Sequence, residues 1–217
     1  IYSYPEQKLL SYFPPKSLEY NQFKQYHNNI TSNITISEYI NGDMINLIYD
    51  DRCERWSIFS QSNITNIVDR FKKAIFINEN DYTPILEYLP KNNTYTFKLK
   101  NNYMKNNSNI DKFYLISVYE IENNMLKYIP YTEYENWSIL RNIEGIIHFR
   151  KKYDIACYEE LVYIHDIDDI DGYLLTDINT GCTTKVLNAD TTIRQVISKI
   201  NPYYAYEYLC LRRIDKL

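Results

Sequence analysis

The sequence predicts an α+β fold in which antiparallel hairpins alternate with helices. Three observations carry that expectation. Apolar runs of strand length are joined repeatedly by short turns rich in Asn, Asp and Gly. Between them lie segments whose apolar residues recur at helical spacing. The 217-residue chain is 45% hydrophobic and 24% charged, a globular composition, and it shows neither an internal repeat nor a linker.

The elements follow in order. Pro14-Pro15 and the polar stretch 21–33 read as extended, irregular chain. Residues 34–49 are strand-like, with two apolar runs split by Asn41-Gly42-Asp43. Asp50-Asp51-Arg52 reads as a turn into a second strand that begins at Trp56, includes Ile58 and ends at Gln61. Asn66 is placed to cap a helix with Ile67, Val68, Phe71, Ala74 and Ile75 on one face. Thr83-Pro84 opens a shorter helix through Leu89, with proline at a tolerated first-turn position. Strands are expected at 94–99 and 113–121, and Asn123-Asn124 turns the second into a short strand at 125–129. Residues 137–152 and 158–165 lean helical. Residues 173–177 and 183–187 form a last hairpin about Asn179-Thr180-Gly181. Asp190 or Thr191 caps a final helix carrying Ile193, Val196, Ile197 and Ile200, which Pro202 closes. The aromatic tail at 203–211 is expected to pack on the core, and the whole chain 1–217 is read as one domain.

Composition narrows the function. A net charge of −4 supplies no general basic field for nucleic acid. The local runs Arg70-Phe71-Lys72-Lys73, Arg150-Lys151-Lys152 and Arg212-Arg213 read as solvated helix faces. Cys53, Cys157, Cys182 and Cys210 are scattered without a CxxC spacing, and with 3 histidines no zinc site or other metal site is expected. Free thiols in a reducing compartment are the default. No apolar run approaches the ~18 residues of a membrane span. The 24 Tyr and 4 Gly, with abundant Asn and Ile, match AT-rich codons. That bias suggests a virus, a linear plasmid or an AT-rich parasite, and a cytoplasmic protein. A chain that starts at Ile1 is expected to be a trimmed or processed part of a longer product.

The most informative stretch is Glu38-Tyr39-Ile40-Asn41-Gly42-Asp43-Met44. It resembles the strand–Lys-x-Asp-Gly–strand motif of RNA and DNA ligases and mRNA capping enzymes. Gly42 is kept, Tyr39 stands where that family has its nucleophilic lysine, and Asn41 stands for the aspartate. Further segments resemble the same superfamily in order, and the phage tRNA-repair RNA ligases in particular. Trp56 to Ile64 is similar to a segment ending Ser-Lys-Gly-Ser, with Gln61 in place of the lysine. Tyr95-Thr96-Phe97-Lys98-Leu99 is similar to the strand that carries a ribose-binding glutamate, and Lys98 takes that position. Ile170-Asp171-Gly172-Tyr173-Leu174 is similar to the Glu-Gly-Tyr-Val motif, and Thr184-Lys185-Val186-Leu187 to the closing Lys-x-Lys. The resemblance spans roughly residues 14–198. An unrelated α+β domain in which Asn41-Gly42 is a plain hairpin turn is the competing reading.

The resemblance implies two antiparallel sheets packed face to face, helices outside, and an ATP-grasp/ligase-like nucleotidyltransferase domain. It implies a cleft formed from Tyr39, Asn41, Gly42, Gln61, Lys98, Asp171, Gly172 and Lys185, with Tyr39, Lys98, Asp171 and Lys185 as its lining. With the lysine nucleophile replaced by a phenol that is protonated at neutral pH, no catalytic residue and no cofactor are expected. The chain would act by binding RNA, tRNA-like or single-stranded, or a protein partner, in an accessory, antidote or structural role. Tyr39 would either stack a base or plug the vacated pocket. The alternative is an RNA-processing enzyme with relocated chemistry, a metal-free ribonuclease using His148 or His165 as acid or base. His148 lies in an apolar stretch, and His165 precedes an acidic cluster that also reads as a solvated turn.

Overall fold

A computed structural model describes residues 1–3, 5, 7–61, 65–78, 81–82, 84–100, 112–141, 147–161, 170–189, 191–193, 196 and 212–213. The elements run α1 (Tyr20–Tyr26), β1 (Ile34–Glu38), β2 (Gly42–Asp50), β3 (Arg55–Ser60), α2 (Thr65–Ile75), β4 (Phe76–Asn78), β5 (Asp81–Tyr82), α3 (Pro84–Tyr88), β6 (Asn93–Lys100), β7 (Lys112–Glu122) and β8 (Met125–Ile129). They continue with α4 (Tyr131–Tyr134), α5 (Ser138–Arg141), β9 (Ile147–His148), β10 (Lys152–Tyr153), β11 (Gly172–Asp177) and β12 (Thr183–Leu187).

Two antiparallel sheets dominate. One has the order β10-β1-β11-β12; the other runs β3-β2-β6-β7-β8, with β9 added in parallel to β7. The chain passes from the first sheet to the second between Glu38 and Gly42, so Asn41-Gly42 is a crossover and not a hairpin turn. Alternation along each strand decides what faces where. Ile45, Leu47, Tyr95, Phe97, Leu99, Phe113 and Leu115 pack with Ile67 and Phe71 of α2 and Leu86 of α3 on one face of the larger sheet. Ile34, Ile36, Tyr173 and Leu175 pack with Phe23 of α1, Tyr158 and Leu161 on one face of the smaller. The opposite faces carry Met44, Lys98, Ser117, Tyr119, Thr176 and Lys185, and these line a cavity between the sheets. Each sheet therefore buries its apolar side against its own helices and turns its more polar side toward the other sheet.

The N-terminal segment crosses this gap. Asn46 of β2 donates through Nδ2 to Ser11 Oγ at 2.8 Å and to the Tyr12 carbonyl at 2.9 Å. Tyr12 meets Tyr119 edge-on at 5.1 Å. Leu18 then bridges Thr184 of the smaller sheet, and residues 14–20 wall the cavity.

Several expectations change. The stretch 21–33 is not wholly extended, because Tyr20–Tyr26 is helical and buries Phe23. Asn66 lies inside α2, which begins at Thr65. Residues 137–152 are not one helix: α5 stops at Arg141, and strands β9 and β10 follow. Gly145 and the β-branched pair Ile146-Ile147 disfavour helix, and Ile147 and His148 find strand partners in Phe113 and Tyr114. Tyr158–Leu161 is 3₁₀ rather than α-helical, and residues 162–165 lie outside the described residues. The cap of the final helical turn is Asn188, whose Oδ1 accepts the Thr191 N–H at 2.7 Å. Asp190, Ile197, Ile200, Pro202 and the tail at 203–211 lie outside the described residues. At the other turn, Asn123 and Asn124 both have positive φ, 50° and 63°, which suits a tight hairpin between β7 and β8.

Gly42 is fixed by space. A Cβ there would stand 1.8 Å from the Leu99 carbonyl oxygen, which is backbone and cannot swing away. Gly42→Ala is expected to destabilise the protein by at least about 1–3 kcal/mol, the range for overpacking, and a urea titration measures it. Unchanged stability would mean that β6 shifts freely.

Candidate functional site

Tyr39 and Ile40 of the crossover line the inter-sheet cavity. Glu38 donates its N–H to the Lys151 carbonyl, and Tyr39 donates its own to the Gly172 carbonyl at 2.8 Å. Gly172 permits this approach to the strand beyond, since a Cβ would meet the Val186 oxygen at 2.4 Å. The Glu38 carboxylate holds Lys100 of β6 at 2.6 Å, an ion pair that ties one sheet to the other. Burial pulls the Lys100 ammonium down, but the hydrogen bond and charge of Glu38 outweigh it, and its pKa is raised.

Lys98, two residues back on β6, points into the cavity. Its Nζ donates to the Ile40 carbonyl at 2.9 Å and lies 4.8 Å from the Tyr39 ring centroid. Lys185 of β12 approaches the same ring from the smaller sheet, 5.4 Å from the centroid. One aromatic ring thus collects two ammonium groups, each attraction worth about 0.5–1 kcal/mol at exposed sites and up to ~2 kcal/mol when desolvated. Burial, and then the charges of Arg150 and Lys185, hold the Lys98 pKa down to about 8, with Asp171 opposing.

Arg150 is the third cation. It is 6% exposed and lines the cavity. The pairing of β6 with β7 slips between Thr96 and Phe97: Thr96 faces Ser117, Phe97 faces Leu115, and Ile116 is passed over. Arg150 Nη2 donates to the Ile116 carbonyl at 3.1 Å, so this bulge anchors the guanidinium. Arg150 Nε, Ser117 Oγ and Thr176 Oγ1 are buried and have no hydrogen-bond partner among the described residues. All three residues line the cavity. The Tyr134 hydroxyl is likewise buried without such a bond but within the electrostatic reach of Arg150; burial raises its pKa. The cavity has a volume of about 680 Å³, and the exposed Lys16 and Glu19 are part of its wall.

Of the residues singled out in the sequence, Tyr39, Gln61, Lys98 and Lys185 line the cavity. Asp171 does not. Its carboxylate accepts a hydrogen bond from the Thr191 hydroxyl at 3.2 Å, and Lys98 and Lys100 feel its charge from behind the wall. Asn41 is exposed, and neither it nor Gly42 nor Gly172 is part of the lining. Tyr39 is 8% exposed with lysines on its ring, so it is not an open platform for a base. His148 is not part of the lining; it lies against Tyr114 at 5.5 Å, and burial, then Lys112, lowers its pKa. His165 lies outside the described residues. Arg150 is not on the solvated helix face that its basic run suggests, and Ser117 and Thr176 line the cavity without having been marked by the sequence. The one available signal was Arg150 following the apolar run Ile146-Ile147-His148-Phe149.

No family model matches the sequence, and no curated protein matches it. Solved structures do match. An archaeal ATP-dependent RNA ligase aligns with a TM-score of 0.61 and 11% identity, over 85% of this chain and 50% of that one. The chain has the fold of an RNA ligase nucleotidyltransferase domain. A Naegleria gruberi RNA ligase solved with pyrophosphate aligns with a TM-score of 0.56 and 11% identity, over 86% of this chain and 60% of that one. A mutant of a Naegleria gruberi RNA ligase in its apo form gives 0.52 and 13%, over 88% and 61%. The chain spans half to three-fifths of the length of these proteins, and the likeness concerns fold.

Proposed function

We propose that this chain binds RNA through phosphate groups in the inter-sheet cavity and does not transfer nucleotides covalently. The observation that carries the reading is the convergence of Lys98, Lys185 and Arg150 on one cavity in a chain of net charge −4. A concave site lined by cations inside an acidic protein focuses a local positive potential that the whole molecule lacks. The second support is Tyr39, which stands at the position of the nucleophile in the ligase resemblance and instead carries ammonium groups on its ring. The fold, shared with proteins named as RNA ligases, supports RNA over other polyanions. The role that fits is an accessory or antidote component, and the AT-biased composition supports a virus or mobile element as its source.

Fluorescence anisotropy with a short single-stranded RNA and a stem-loop tests this. Binding is expected at low salt, falling with a log–log slope near −2 for about three contacts to a single strand. Lys98→Glu or Lys185→Glu is expected to weaken it at least tenfold. Incubation with labelled ATP or GTP and a divalent cation is expected to leave no label on the protein. Absence of RNA binding at low salt would overturn the RNA reading and leave a protein partner. A stable acid-labile adduct would overturn the non-catalytic one.

A further inference from the structure

Resting on the RNA reading, we propose that the cavity receives the 5′-polyphosphate end of an RNA directly on Lys98, Lys185 and Arg150, without a bridging divalent cation. In this arrangement Tyr39 is the positioning residue that gathers the two lysines. Access comes first. Arg150 is buried and Lys98 partly so, hence a phosphate reaches them only by entering the cavity. A phosphodiester in mid-chain carries a nucleoside on both sides and would have to drag both in. A terminal phosphate chain enters end-on, and about 680 Å³ is of the size that holds one small ligand.

The arrangement of charge comes second. The three cations belong to different elements: β6, β12 and the segment before β10. Lys98 and Lys185 converge on the Tyr39 ring and Arg150 acts on Lys98 from the bulge in β7, so three positive charges share one cavity, which matches the charge of a chain of two or three phosphates better than that of one phosphate. Lys16, also in the wall, can serve the outermost group. Ser117 and Thr176, whose residues also line the cavity, make the wall beside these cations polar.

Metal independence follows from which charges face inward. A bridging cation needs oxygen ligands, chiefly carboxylates, beside the phosphates. Asp171 is turned to Thr191, Lys98 brings an ammonium to the cavity from β6, and the one carboxylate among the described lining residues, the exposed Glu19, shares the wall with Lys16. A divalent ion placed there would sit among like charges. Tyr39 makes the cluster tolerable, since its ring faces two ammonium groups that would otherwise repel one another.

The test uses one RNA sequence with a 5′-triphosphate, a 5′-monophosphate or a 5′-hydroxyl, titrated by anisotropy in EDTA and again in excess magnesium. The triphosphate form is expected to bind at least thirtyfold tighter than the hydroxyl form in EDTA, with the monophosphate between them. Magnesium is expected to reduce that preference by screening the phosphates. Tyr39→Phe keeps the ring and is expected to keep the preference. Tyr39→Leu is expected to lose most of it while circular dichroism remains native. Equal binding of the three ends overturns the inference and leaves the RNA reading standing, as does a preference that appears only with magnesium. If no RNA binds, calorimetry with inorganic tripolyphosphate in EDTA separates the two: binding upholds the anion site and sinks the RNA reading, and no binding sinks both.

Discussion

Replacing Lys98 by methionine is expected to stabilise the folded protein and to remove its RNA binding. The ammonium is held at a pKa of about 8 against an ordinary 10.5. At about 1.4 kcal/mol per pH unit, that depression corresponds to roughly 3.5 kcal/mol of destabilisation at neutral pH. Residual solvent around the side chain reduces it to about 1–2 kcal/mol. Methionine keeps much of the apolar stem and carries no charge into the cavity. In a protein of this size about 1 kcal/mol moves the melting temperature by ~2–4 °C, so a rise of several degrees at pH 7 is expected. The sign has a pH signature. The folded state binds the proton less tightly than the unfolded chain, so the wild type gains stability as pH rises from about 8 toward 10.5. The advantage of the variant is therefore full below pH 8 and fades above it. A variant that melts lower than wild type would show that the bonds to the Ile40 carbonyl and the Tyr39 ring outweigh burial. Gain of stability with loss of binding marks a residue kept for function.

The second large effect is the pH dependence of RNA affinity. Lys98 faces Arg150 and Lys185, which lower its pKa, and Asp171, which raises it; the Tyr39 ring lies against it. If phosphate requires the charged ammonium, binding above pH 8 must first supply a proton. Affinity is then expected to fall with a limiting slope of about tenfold per pH unit, and proton uptake should accompany binding. Lys98→Arg is expected to flatten the profile, because a guanidinium does not titrate there. Anisotropy at constant ionic strength between pH 7 and 9.5 measures both. A flat wild-type profile would remove Lys98 from the phosphate site.

Much of the fold could be read in advance because its strands are locally consistent. The run Thr94 to Leu99 alternates, and Phe113 to Ile121 is apolar enough to be a central strand, which β7 is. Turns with a backbone requirement, such as Asn123-Asn124, were legible for the same reason. The region 137–161 was not. There the structure is made by distant partners: Ile147 pairs with Phe113, Lys152 with Ser37, and Arg150 with a bulge carbonyl. No local periodicity encodes a two-residue strand. The lining of the candidate cavity was partly legible through Tyr39, Lys98 and Lys185, each marked by the position it occupies in the motif order. Asp171 misled because motif order gives proximity along a strand and not the direction of a side chain. Ser117 and Thr176 had no signal at all, since a buried hydroxyl looks in sequence like any strand residue.

The crossover has a geometric consequence. Tyr39, Ile40 and Asn41 are all that separates β1 from β2. Extended chain covers at most about 3.3–3.6 Å per residue, and stacked sheets lie ~10 Å apart. From Glu38 to Gly42 the chain takes four such steps, about 13–14 Å at most, so little slack remains between the layers, and the Glu38–Lys100 pair cinches the same end. The two sheets behave as the arms of tweezers joined at a stiff pivot. The joint sets the opening of the cavity at one end, where the Tyr39 N–H is bonded to the Gly172 carbonyl, and the N-terminal segment ties both sheets further along.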